Sequence, residues 1–182
     1  MAMVNWWDVL PDNERQQWSL DPFMAVGPLR FGAGPDEVSI ALSGITTESQ
    51  QHTRHQSAFD AVSTVVESSY PKFGLKLHYR EERLAAIVVD ALHGPQVVAD
   101  GMPLVGRVPS TLEQWMIHRA EAREPHAELT YMGTGVPGSE SSGVVIDVQR
   151  AGDRLLTRPV FVPLEAMDDL SYWLPREASS LR

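Results

Sequence analysis

A repeat at a spacing of 74 residues constrains the fold of this chain more than any other feature of its sequence. Ala25, Gly27, Gly32 and Pro35 are matched without a gap by Ala99, Gly101, Gly106 and Pro109. Val38, Ala41 and Leu42 then fall on Leu112, Trp115 and Met116, so apolar positions meet apolar positions. The physics of the two copies is the same. One glycine admits a turn, a second ends a short strand, and proline suits the first turn of a helix with an apolar stripe. Each copy then leads to a hairpin pattern, the first through Gly74 and Arg83-Leu84, the second through Gly143 and Arg154-Leu155.

The expected fold is α+β. One domain spans residues 1–182, with internal halves of about 20–98 and 99–175. Two duplicated helix-plus-hairpin units would place their helices on one face of antiparallel sheet. In detail, Val26 to Phe31 reads as a strand and Pro35 to Leu42 as a helix. Thr46 to Ser57 is polar and reads as a loop. Phe59 to Glu67 fits both a helical stripe and strand alternation, and its β-branched content favours strand. Leu75 to Tyr79 and Leu84 to Ala91 form a hairpin across Arg80–Arg83, with His78 alternating outward. Val97 to Ala99 is a short strand. A helix capped by Ser110 carries Leu112, Trp115 and Met116 and is stopped by Pro125. Leu129 to Met132 is a strand and Gly133 to Gly143 a loop. Val144–Val148 and Leu155–Val162 form a second hairpin, and Glu165 to Trp173 a final helix.

Composition narrows the chemistry. The 182 residues contain no cysteine, which excludes disulfides, thiolate metal sites and cysteine nucleophiles. No apolar run reaches the roughly 18–20 residues that span a bilayer. Met1 to Leu10 carries Asp8 and no basic stretch, so it does not read as a signal peptide. The expected location is the cytoplasm, with no membrane partner. A net charge of −9 repels phosphate backbones and sets nucleic acid aside. The same field speeds encounter with a basic protein. Trp6, Trp7 and Trp18 flank a polar stretch. Packing onto the body is the favoured reading for them, and an aromatic interface the other.

No constellation forms a convincing catalytic set. Gly133-Thr134-Gly135-Val136-Pro137-Gly138 matches a dinucleotide fingerprint, but no helix pattern follows to hold a pyrophosphate. Ser139, Ser141 and Ser142 lack the flanking glycines of a nucleophile elbow and would need His118 or His126 as base. Glu81-Glu82 and Asp168-Asp169 are sequence neighbours, which point apart and make poor acid–base pairs. His52 and His55, with Glu48 nearby, are the weak candidates for zinc, on a loop that presets no geometry. No cofactor is implied.

The stretch Phe31-Gly32-Ala33-Gly34-Pro35-Asp36-Glu37-Val38, running on to Leu42 and Gly44, resembles the helix-entry motif of BamE-like (SmpA/OmlA) modules. Those are small α+β units that bind other proteins. The chain departs from them in lacking a lipoprotein signal and cysteine, so an envelope role is not implied. Trp6-Trp7-Asp8, Val26 to Gly32 and Pro159-Val160-Phe161-Val162 also resemble small actinobacterial proteins near polymorphic-toxin loci, some of them immunity proteins. The expected function is therefore protein binding without catalysis, in an immunity-type protein that blocks a basic toxin domain by occlusion. The candidate contacts are Trp6, Trp7, Asp36 and Glu37. The rivals are a small-ligand binder or hydrolase built on loops 46–57 and 133–143, and a homodimeric scaffold.

Overall fold

A computed structural model of the chain describes residues 6–45, 50–58, 61–122, 129–131, 135–168 and 175. The first half runs β1 (Gln17–Asp21), β2 (Ala25–Val26), β3 (Leu29–Arg30), α1 (Pro35–Leu42), β4 (Gln50–Ala58), β5 (Ala61–Tyr70), β6 (Leu75–Arg80) and β7 (Arg83–Val89). The second runs β8 (Gln96–Ala99), β9 (Met102–Pro103), α2 (Pro109–Ala122), β10 (Leu129–Tyr131), β11 (Pro137–Ser139), β12 (Val144–Ala151), β13 (Arg154–Phe161) and α3 (Leu164–Asp168). The fold is α+β, as its patterning indicates.

An eight-stranded antiparallel sheet has the order β10-β11-β12-β13-β7-β6-β5-β4. The β6–β7 and β12–β13 hairpins join through their second strands, with Val160 opposite Val88 and Phe161 opposite Ile87. A smaller sheet, β3-β2-β1-β8-β9, is closed by a parallel pair between β1 and β8. Leu77, Ile87, Val89, Ile146 and Phe161 form one face of the large sheet. They share a core with Val38 and Leu42 of α1, Leu112 and Met116 of α2, and Val26, Leu29 and Val97 of the small sheet. Ala86, Val88, Val145 and Val160 form the other face and pack with Val162, just past β13, and with Ala166 of α3. Burial on both faces explains why residues 84–89 are apolar without alternation.

Several expectations are corrected. The segment expected as one strand from Val26 to Phe31 is two short strands, because Gly27, at φ 54°, turns the chain back. Polar residues 50–57 are not loop but most of β4, paired along its length with β5. An edge strand needs ladder partners on one side only, so polar composition does not forbid it. Ser110 lies inside the first turn of α2, whose first residue is Pro109, so it is not the cap. Residues 137–139 of the expected glycine-rich loop are strand β11. His78 is buried, because the face it points to is covered. Glu48, Pro125 and His126 lie outside the described residues.

The positions matched at a spacing of 74 residues fall on like elements. Gly27 and Gly101, and Gly32 and Gly106, all have positive φ, and Pro35 and Pro109 both open helices. The match is imperfect: β2 turns into β3 across Gly27-Pro28, but β8 turns into β9 across Asp100-Gly101, one position out of step.

A polar seam fastens the N-terminal segment to this frame. Arg15 is 5% exposed and donates to the carbonyls of Leu10, Ala91, Leu92 and Gly94 at 2.7–3.1 Å. Asp12 accepts from Gln96 Nε2 at 2.9 Å and from Arg107. Burial raises the Asp12 carboxyl, but bonds from Gln96 and Arg107 and the charges of Arg107 and Arg15 outweigh it. Its pKa therefore lies below the usual carboxylate range. A depressed folded pKa contributes stability above the unfolded value of about 3.9 and loses it as pH falls through the folded value. Asp12→Asn is expected to lower the urea midpoint at neutral pH and to begin converging on wild type only as pH falls below about 4, through the depressed folded value. The side chain is 45% exposed, so solvent screening keeps the effect small. A difference that does not shrink on acidification would contradict this.

Candidate functional site

Four non-glycine residues with positive φ occur among the described residues: Phe23, Glu81, Glu82 and Asp100. Such backbone costs on the order of 1–3 kcal/mol per residue and gathers where function requires it. Phe23 and Glu81 line one groove of about 370 Å³, and Glu82 adjoins Glu81 in the same turn.

The groove is built from local turns. Asp21 to Met24 form a turn closed by Met24 N–H donating to the Asp21 carbonyl at 3.0 Å. Pro22 suits its second position, while Phe23, at φ 64°, stands where glycine is usual. The Phe23 ring packs on Gly143, where an added Cβ would lie 2.9 Å from the ring. Met24 is left 56% exposed at the mouth. Gly32 N–H donates to Leu84 O, and Leu84 N–H to Ala33 O, each at 2.9 Å, which ties the end of β3 to β7. The β6–β7 turn is Glu81-Glu82, at φ 50° and 60°, in the left-handed pair that Asn-Gly normally supplies. Pro163 and Glu165, at the start of α3, complete the wall, with Phe31, Arg80 and Arg83.

Charge at this end is mixed with an acidic excess. Asp36, Glu37, Glu81, Glu82 and Glu165 are all exposed, as are Arg30 and Arg83, while Arg80 is half-buried. Glu37 accepts the Gly34 N–H at 2.8 Å and so caps α1. An added Cβ on Gly34 would lie 3.9 Å from the Glu82 carbonyl, which puts the first turn of α1 beside the acidic turn.

The other expected contacts lie elsewhere. Trp7 stacks on the β12–β13 turn, 3.8 Å from where a Gly152 Cβ would be, with the Arg150 guanidinium 5.8 Å from its ring centre. Trp6 is 80% exposed and Trp7 46%, so packing into the core is overturned for both. Trp18 alone of the three is buried, in β1. Since β7 and β13 run antiparallel and meet at Val88 and Val160, their two turns lie at opposite ends of the sheet. At about 3.3 Å per residue the separation is on the order of 40 Å. The four candidates thus divide into an aromatic tip, with Trp6 and Trp7, and an acidic end, with Asp36 and Glu37.

His52 and His55 fall in β4, in register with Glu67 and Thr64. A strand thus stands where the loop for that pairing was expected. Ser141 Oγ accepts from Arg119 at 3.0 Å and lies 3.1 Å from Ser139 Oγ, so a guanidinium occupies the place of a histidine base. Asp90 accepts from the Leu92 and His93 amides and from Gln149, which binds it into a turn. Of the two loops expected at 46–57 and 133–143, residues 50–57 of the first lie in β4, and β11 takes three of the nine described residues of the second. The groove itself was not legible in the sequence. The signal that existed was Pro22-Phe23 and Glu81-Glu82 at positions between strands where glycine or asparagine would be expected.

Comparison of the chain with protein-family models, curated proteins and solved structures gives no match.

Proposed function

We propose that this protein is a non-catalytic protein-binding domain that takes a basic partner at the acidic end of its large sheet. The observation that carries this reading is the clustering of strained backbone at Phe23, Glu81 and Glu82 around an open groove. Met24, Phe31, Leu84 and Pro163 offer an apolar surface for an inserted side chain. Glu81 and Glu165, with Asp36, Glu37 and Glu82 beside them, steer a cationic surface towards it. Blocking would be steric: the partner's own site is covered, and no bond is made or broken. An immunity-type role against a basic toxin domain is the concrete form of this function. We also read the two halves as copies of one ancestral unit, which the matched glycines and helix-opening prolines support.

The test is a pull-down for a basic partner, with co-expression of any toxin domain that the neighbouring genes encode. Wild type is expected to restore growth. Met24→Glu is expected to abolish protection, because a buried hot-spot contact is worth about 2 kcal/mol or more, roughly 30-fold in affinity. Failure of wild type to protect, with no complex formed between the two proteins, would overturn the proposal.

A further inference from the structure

The β12–β13 turn carries a surface that the groove leaves unused. Trp7 lies against Gly152, and the Arg150 guanidinium sits over its ring. Arg150 Nε donates to the Gly152 carbonyl at 2.7 Å, which holds the guanidinium at the turn. Arg150 is in register with Leu155, and directly opposed residues share a face, with Cβ atoms about 4.5–5.5 Å apart. Trp7, Arg150 and Leu155 thus form one strip, with Trp6 next to Trp7 in the chain. Trp6, Trp7 and Leu155 are 80%, 46% and 57% exposed. Tryptophan and arginine are enriched at the energetic centres of interfaces, and clustered exposed apolar side chains mark a contact surface.

We propose that this strip is the interface of a homodimer, in which a second copy of the chain docks tip to tip about a two-fold axis. Charge singles out the second copy. The chain carries −9 overall, yet the exposed charges of residues 6–10 and 150–155 are two of each sign, Asp8 and Asp153 against Arg150 and Arg154. A basic partner is drawn to the acidic end instead, and an acidic partner finds no cationic excess at the tip. A two-fold contact needs a surface that complements itself, and this one sets arginines of one copy against aspartates of the other. Distance favours the same arrangement. The tip is on the order of 40 Å from the acidic end, so tip-to-tip contact leaves the two acidic ends roughly 80 Å apart. That is far beyond the Debye length of about 8 Å at physiological salt, so their repulsion is screened. The interface uses none of the groove residues. It therefore stands apart from the binding reading, and it leaves both grooves open.

The test is sedimentation analysis of the full chain across the micromolar range. Wild type is expected to pass from monomer to dimer and no further, because a two-fold contact closes on itself. Truncating a hot-spot tryptophan costs about tenfold in affinity or more, and symmetry removes it from both sides of the contact. Trp6→Ala/Trp7→Ala should therefore weaken the dimer by roughly 100-fold or more. Leu155→Glu, which sets a charge in the strip, is expected to weaken it as strongly and decides the matter if the double variant does not fold. Ile40→Ala removes a 74% exposed apolar side chain from α1 and should dimerise like wild type. A wild type that stays monomeric throughout would overturn the proposal, as would dimers unimpaired in both tip variants. Capture of monomeric wild type by anionic phospholipid vesicles, lost in the tryptophan variant, would overturn it too and assign the tip to a lipid surface.

Discussion

Replacing Arg15 with methionine is expected to lower the unfolding free energy by about 3–5 kcal/mol, because buried carbonyls lose their charged donor. The guanidinium is the junction between the N-terminal segment and the loop from Ala91 to Gly94. It donates to Ala91, Leu92 and Gly94 in buried surroundings and to Leu10 at the edge. Methionine fills a similar length but donates nothing, so three buried carbonyls are left without this donor. An unsatisfied buried acceptor costs about 1–3 kcal/mol, and these costs are not additive. Domains of this size are held by only about 5–15 kcal/mol, so the variant should lose much of its margin. Arg107→Met is the control. Its partner Asp12 is 45% exposed, so that loss should be about 1 kcal/mol or less. Urea unfolding at neutral pH measures both, and equal midpoints for Arg15→Met and wild type would contradict the role assigned to this residue.

Gly74→Ala is expected to be nearly as costly, by about 3 kcal/mol or more. Two effects add there. Gly74 has a φ of 64°, which alanine adopts only with strain. Its Cβ would also stand 2.4 Å from the Gly94 nitrogen and 2.7 Å from the Gly94 Cα and the His93 carbonyl carbon, all of them backbone atoms. Gly94 cannot retreat easily, because its own position is crowded by Val89 and Asp90. Gly152→Ala separates the two effects. Its φ is 63°, but the nearest atom to an added Cβ is 3.8 Å away, so backbone strain acts alone. A loss of about 1 kcal/mol is expected there. If thermal unfolding ranked Gly152→Ala as the more damaging change, the close approach of the two loops would be wrong.

Both substitutions show how far the sequence could be read. Glycines that open or end elements announced themselves, because turn chemistry is local. Gly27, Gly32, Gly101 and Gly106 were legible as turns, and all four have positive φ. The hairpins β6–β7 and β12–β13 were legible too, from apolar runs and a charged or glycine-containing turn. The course of β4 was not. Its residues are polar, and an outermost strand is held by its ladder to β5 more than by burial, so periodicity carries no signal for it. Arg15 gave no sign of burial either, since its partners are carbonyls 76–79 residues away in the chain.

The proposed binding surface was half legible for the same reason. Asp36 and Glu37 stand out as acidic, and they do lie beside the groove. Trp6 and Trp7 were chosen as aromatic, and the pairing of β13 with β7 carries them to the far end. No local pattern could have divided these four residues. Only the long-range register between Val88 and Val160 does so.

That division allows the most direct measurement of the central claim. The affinity and salt dependence of binding to the basic partner that the pull-down recovers, a toxin domain in the proposed reading, should be compared for Met24→Glu and for the double variant Trp6→Ala/Trp7→Ala. The expected result is a loss of roughly 30-fold or more for Met24→Glu, little change for the tryptophan variant, and weaker association as salt screens the acidic end. Loss in the tryptophan variant with full binding by Met24→Glu would contradict the claim and move the interface to the aromatic tip.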